Sequence, residues 1–130
     1  MGSSFIYSSA HVGLKSVPVR VEADISSGLP RFTIVGLPDA AISESRERIR
    51  AAIKNSGLTF PRTRVTVNLA PANLKKQGPM YDLPIALSIL IASGAISQTN
   101  ITKTSVFLGE LSLDGEIRPV QGALLAATMC

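Results

Sequence analysis

One stretch limits what this chain can fold into: residues 64–90, RVTVNLAPANLKKQGPMYDLPIALSIL. It opens with strict alternation, Val65, Val67 and Leu69 on one side and Arg64, Thr66 and Asn68 on the other, the pattern of a half-buried strand. A loop holding Pro71, Lys75, Lys76, Gly78 and Pro79 follows. From Asp82 onward the residues are apolar almost all round, through Leu83, Ile85, Ala86, Leu87, Ile89 and Leu90. A helix without a polar face has to be covered on several sides, so it is expected at the centre of the fold. Pro84 falls in its first turn, where a missing N–H does least harm, and Gly94 closes it. Asp82 is expected as the N-cap.

The segments before and after supply partners for this unit. Residues 5–10 form a short strand candidate with a turn near Gly13, and residues 17–25 alternate with Val17, Val19, Val21, Ala23 and Ile25 on one face. Pro18 points to an edge or to the start of that strand. A turn at Ser27-Gly28-Leu29-Pro30 leads into residues 31–35, expected as the returning strand of a hairpin. At Gly36-Leu37-Pro38-Asp39 the period changes from two to 3.6, with Asp39 as the expected N-cap. Ile42, Ser45, Ile49, Ala52 and Ile53 line the inward face of a helix that ends at Asn55-Ser56-Gly57. Residues 106–113 read as a further strand, Asp114-Gly115 as a tight turn, and 116–120 as the return, with a last helix from near Gln121. This order predicts an α+β fold with a mixed, mostly antiparallel sheet packed with helices.

A chain of 130 residues suits one domain, read here as residues 5–130. Residues 1–4 resemble the start of an expression vector product, and the run from Ala123 to Cys130 has no helix-stopping residue, so the sequence reads as part of something longer. With no Trp and few aromatics the core must be aliphatic. Cys130 is the single cysteine and His11 the single histidine, which rules out an internal disulfide, leaves no metal-ligating cluster, and fits a reducing, cytoplasmic compartment. No apolar run reaches the roughly 20 residues that span a bilayer.

The net charge is +4, which permits an anionic partner without naming one. The basic residues are the best candidates for contacting it. Arg62 and Arg64 open the central strand, Lys75 and Lys76 sit in its exit loop, and Arg46, Arg50 and Lys54 recur every four residues along the first helix. Brought together they would suit a phosphate backbone; standing apart they are a solvated helix face and loop. Glu44–Arg48 and Glu47–Arg50 are spaced to neutralise part of that helix. Aromatic residues are not interleaved with these cations, so stacking of bases is not expected. Glu110, Asp114 and Glu116 lie near one hairpin, where turn chemistry and solvent exposure account for them without an ion. A phosphate loop of the Gly-x-x-x-x-Gly-Lys-Ser/Thr type is not in this sequence, so neither ATP nor any other cofactor is expected to bind this part of the protein.

Three long motifs carry a resemblance: FTIVGLPDAAISESRERIRAAIKNSG, then RVTVNLAPANLKKQGPMYDLPIAL, then FLGELSLDGEIRPVQGALLAA. In that order they resemble the N-terminal domain of the YifB/ComM family of magnesium-chelatase-like AAA+ proteins. The resemblance implies a ribosomal protein S5 domain 2-like fold in a bacterial ring ATPase that acts on DNA as a helicase in competence. ATP and Mg2+ would be bound by an AAA+ module outside this sequence, and the partners would be that module, neighbouring subunits and DNA, with no membrane contact. More distantly, the motifs are similar to the proteolytic domain of Lon, which uses a Ser–Lys dyad. The nucleophile position after Gly78-Pro79 holds Met80, the helix starts at Asp82, and no lysine follows Lys103, so both members of the dyad are missing. The expected role is therefore non-catalytic: assistance to DNA binding or to ring assembly. A pure assembly or regulatory module without DNA contact is the alternative, and a residual serine hydrolase the remote one.

Overall fold

The computed structural model describes residues 2–71, 76, 78–98, 105–115 and 117–118. Its frame is a four-stranded sheet built from β1 (Gly2–Val12), β2 (Lys15–Ser26), β3 (Arg31–Val35) and β4 (Arg64–Ala70), in the order β1-β2-β4-β3. β1 and β2 pair antiparallel along their whole length, β2 pairs antiparallel with β4, and β3 runs parallel to β4. The residues set apart at the start of the sequence belong to this sheet: Gly2, Ser3 and Ser4 register with Ile25, Asp24 and Ala23.

The expected hairpin between residues 17–25 and 31–35 does not form, because β4 lies between β2 and β3. Local turn chemistry at Gly28 and Pro30 reverses the chain, but β3 finds its partner only after α1 (Asp39–Asn55) has crossed over. That β3-α1-β4 passage joins two parallel neighbours, which needs a crossover helix. Gly36, at φ 103°, makes the turn possible; a Cβ there would overlap the Leu69 carbonyl oxygen. Pro18 sits where β2 has β1 as its only paired neighbour, since the β4 register starts at Arg20, so its missing N–H costs no ladder bond on that side.

One sheet face is closed by α1 and α2 (Asp82–Ala92), which follows a 3-10 turn at Gly78–Tyr81. Val19, Val21, Ala23 and Ile25 of β2, Val65, Val67 and Leu69 of β4 and Phe32 and Ile34 of β3 meet Ile49, Ala52 and Ile53 of α1 and Ile85, Ala86 and Ile89 of α2. The central buried helix is thus where the apolar run places it. The class is α+β with a mixed, mostly antiparallel sheet against two helices, consistent with an S5 domain 2-like arrangement. Among the described residues no helix is long and apolar enough to cross a membrane.

The continuous strand expected over residues 106–113 is broken up. Val106 bridges Tyr7 at the β1 edge, Gly109 bonds to Met80 and Leu83, and only β5 (Glu110–Leu111) pairs with β6 (Ile117–Arg118). The chain leaves the sheet edge to pass over the start of α2, and its backbone groups are used there instead of in a ladder. The connection between β5 and β6 is also longer than the two-residue turn expected at Asp114-Gly115. The expected last helix, from Gln121, lies outside the described residues.

Candidate nucleic-acid interface

Two charged regions flank α1, and they are built in opposite ways. At the start of α2, Asp82 is 0% exposed. It is the first residue of the helix and makes no capping bond, contrary to the sequence reading; Tyr81 holds the N-cap position. The reason is that the first turn has a backbone partner: Leu83 N–H donates to the Gly109 carbonyl at 3.0 Å. The Asp82 carboxylate turns instead to Arg48, which donates from Nε at 2.6 Å and from Nη2 at 3.2 Å. Arg48 also reaches Ser45 Oγ at 3.1 Å, and the Leu111 amide donates to Asp82 Oδ2 at 3.2 Å. Burial pushes the Asp82 carboxyl above its ordinary range, opposed by its bonds to Arg48, Leu111 and Ser45. The bond to Asp82 holds the Arg48 guanidinium above its own usual value. The pairing of Arg48 with Glu44 is present at 3.9 Å, but it is the lesser of the two. Asp39 likewise lies inside the first turn of α1, with Pro38 at the N-cap position and no side-chain cap.

The exit loop of β4 does not offer two exposed lysines. Lys76 is 2% exposed and donates from Nζ to the Pro71 carbonyl at 2.5 Å, and burial lowers its pKa. It is buried and bonded to Pro71 within its own loop, which corrects its place in the expected surface patch. Lys75 lies outside the described residues. At the position compared with the Lon nucleophile, the Met80 side chain is buried. Among the described residues, no group of three His, Cys, Asp or Glu could hold a metal ion.

The other cations assemble at the far end of α1. The helix stops at Asn55, Gly57 takes φ 82°, and the Gly57 and Leu58 amides bond back to the Lys54 and Ile53 carbonyls. The chain then runs back beside the start of β3, where the Arg31 amide donates to the Thr63 carbonyl at 3.3 Å. Between helix end, returning chain and strand lies an open groove of about 620 Å3. Arg31, Arg50, Lys54 and Arg62 line it, all four are exposed, and among the described residues no carboxylate lines it. Among the described residues none of these four has an ion-pair partner. Phe32 and Phe60 meet in the groove at 5.1 Å between ring centroids, with the Arg50 guanidinium 5.8 Å from the first and 5.5 Å from the second.

Three of the seven expected residues, Arg50, Lys54 and Arg62, therefore share one surface. Arg46 lies one turn before Arg50 and donates to the Phe32 carbonyl at 3.1 Å, outside the groove lining. Arg64 starts β4 on the exposed sheet face, registered with Arg31, and does not line the groove. Arg31, Phe32 and Phe60 are the residues that sequence spacing missed. Arg31 opens a strand far from the helical stripe, and the two aromatic residues are separated by a whole helix, so proximity depended on the parallel pairing of β3 with β4.

Comparison with known proteins places these features in a lineage. The pattern of the family described as subunit ChlI of Mg-chelatase matches residues 21–130. The chain is 44% identical over 128 residues to YifB of Salmonella typhimurium, covering 98% of the chain and 25% of that protein. It is 42% identical over 130 residues to the competence protein ComM of Haemophilus influenzae, covering 98% of the chain and 25% of ComM. An uncharacterized protein of Mycobacterium tuberculosis is 48% identical over 120 residues, 92% of the chain and 24% of that protein. The chain thus spans about a quarter of the length of these relatives.

Proposed function

The chain belongs to the ChlI family of Mg-chelatase-like proteins, and from that premise we propose that it is a non-catalytic, nucleic-acid-contacting domain. In this reading it is the N-terminal part of a larger AAA+ ATPase of helicase type, whose other module binds ATP and Mg2+. Its own residues hold the nucleic acid while that module does the work. The observation that carries the reading is the groove: four exposed cations on three segments, with no carboxylate among the lining residues. Each cation that meets a phosphate releases a condensed counterion, which favours binding without reading sequence. A competence protein among the relatives agrees with DNA as the anion.

The test is the affinity of the chain for fluorescein-labelled DNA measured across salt concentration. Four phosphate contacts give a slope of log affinity on log salt of about −3 for a single strand. The double variant Lys54→Gln/Arg62→Gln is expected to halve it. An affinity that does not change with salt, or no binding at low salt, would sink the proposal and leave the assembly role.

A further inference from the structure

The groove holds more than charge. Phe32 is 3% exposed and forms its floor, whereas Phe60 packs against it with the two rings tilted by 46° and stays half-buried, lining the groove. Leu58 and Pro61 continue this apolar surface, and the cations stand around it, Arg50 and Lys54 on the helix, Arg62 and Arg31 on the opposite side. A pure phosphate-backbone site has no use for an apolar floor between its cations. An acidic peptide would bring carboxylates to the rim but nothing flat and apolar to the ring.

We propose that Phe60 is a stacking platform for one unpaired nucleobase, with the flanking phosphates held by Arg62 and Lys54 and with Arg50 closing over the base. The ligand class is single-stranded nucleic acid; this rests on the reading of the groove as a phosphate site. The open groove, about 620 Å3, has room for a base with its sugar. In a duplex only base edges are presented in the grooves, and no face is free to meet a ring. Arginine planes and aromatic rings are the two surfaces on which splayed bases stack. Here they already face each other, at 5.5 Å from guanidinium carbon to ring centroid, and Arg50 is exposed on a flexible stem that can lift to admit a base. The base would then lie between Phe60 and Arg50, and the cation–π contact would be exchanged for two stacking contacts.

The experiment compares fluorescence anisotropy of the whole chain with a labelled oligothymidylate, with a duplex of equal length, and with polyglutamate as competitor. Phe60→Leu keeps the apolar contact with Phe32 and removes the aromatic face; Phe60→Tyr keeps the face and reports on folding. The expected result is a loss of at least about fivefold in single-strand affinity for Phe60→Leu, with Phe60→Tyr and duplex binding within about twofold of the parent. Equal single-strand affinity for Phe60→Leu and the parent, or duplex bound at least as tightly as the single strand, would overturn the stacking site while the phosphate reading stands. Displacement of DNA by polyglutamate at comparable charge concentration would overturn it in favour of an acidic peptide. If neither nucleic acid binds, the phosphate reading itself has failed.

Discussion

Arg48 and Arg50 stand two residues apart on one helix and serve opposite ends. Arg48 turns inward, is 17% exposed, and spends its guanidinium on Asp82, Ser45 and Glu44. Arg50 turns outward and has an aromatic face beneath it and no carboxylate partner among the described residues. The first arginine is one half of a charge pair that locks α1 to α2; the second is a charge left over. A cation on a protein surface becomes available to a ligand only if the fold has not already neutralised it. The charge count of the sequence cannot distinguish the two, and the direction of each side chain on the helix can.

The sharpest way to break this contrast is to remove Arg48. Arg48→Ala leaves the Asp82 carboxylate buried without its counter-charge, and the expected loss of stability is about 3–5 kcal/mol, read by urea unfolding. A loss under about 1 kcal/mol would mean that solvent or the Leu111 amide satisfies Asp82 alone, and the pair would not be the lock between the helices.

A second test uses the residue next to the pair. Tyr81 is fully buried, its hydroxyl donates to the Ser9 carbonyl at 3.0 Å, and burial raises its pKa to about 12. The unfolded phenol ionises near about 10, so between these values the unfolded chain has lost a proton that the folded chain keeps. Stability from this group is thus fully present below about pH 10 and falls as pH rises through the window, by roughly 2–3 kcal/mol when complete. Tyr81→Phe should remove that dependence, so the stability gap between parent and variant, measured by urea unfolding from about pH 9 upward, narrows with pH. A gap that stays constant would place the hydroxyl in water.

The sequence made the apolar side of this molecule legible and its polar side only in part. Alternation in residues 64–69 and the unbroken apolar run after Asp82 locate β4 and α2, because burial imposes a period on a chain wherever a face is covered. Partner choice imposes none. Residues 31–35 look like the second arm of a hairpin, since the turn before them is local and visible, whereas their pairing with β4 is decided by contacts on the far side of a helix. The same holds for Asp82. Its position suggests a cap, but the cap is supplied by Gly109, and its partner Arg48 is 34 residues away. Lys75 and Lys76 read as a basic loop because adjacent lysines are usually solvated, yet Lys76 reaches back to Pro71. Of the groove, the helical stripe was visible, and the aromatic floor was not.

The smallest effects separate members of that stripe from one another. Arg46, Arg50 and Lys54 repeat every four residues, but Arg46 donates to Phe32, whose carbonyl lies on the strand at the edge of the sheet. An exposed edge with free carbonyls invites another strand, and a cation bonded to one of them discourages it. Arg46→Gln is therefore expected to cost about 1 kcal/mol of stability and to leave the salt dependence of DNA binding unchanged. Arg50→Gln is expected to do the reverse, with stability changed by no more than about 0.5 kcal/mol and the salt slope shallower by up to about 0.7. Urea unfolding and anisotropy on the same two proteins decide it. Equal changes in slope would make the whole stripe one phosphate-binding surface, and the groove would then extend a turn further along α1 than its lining residues indicate.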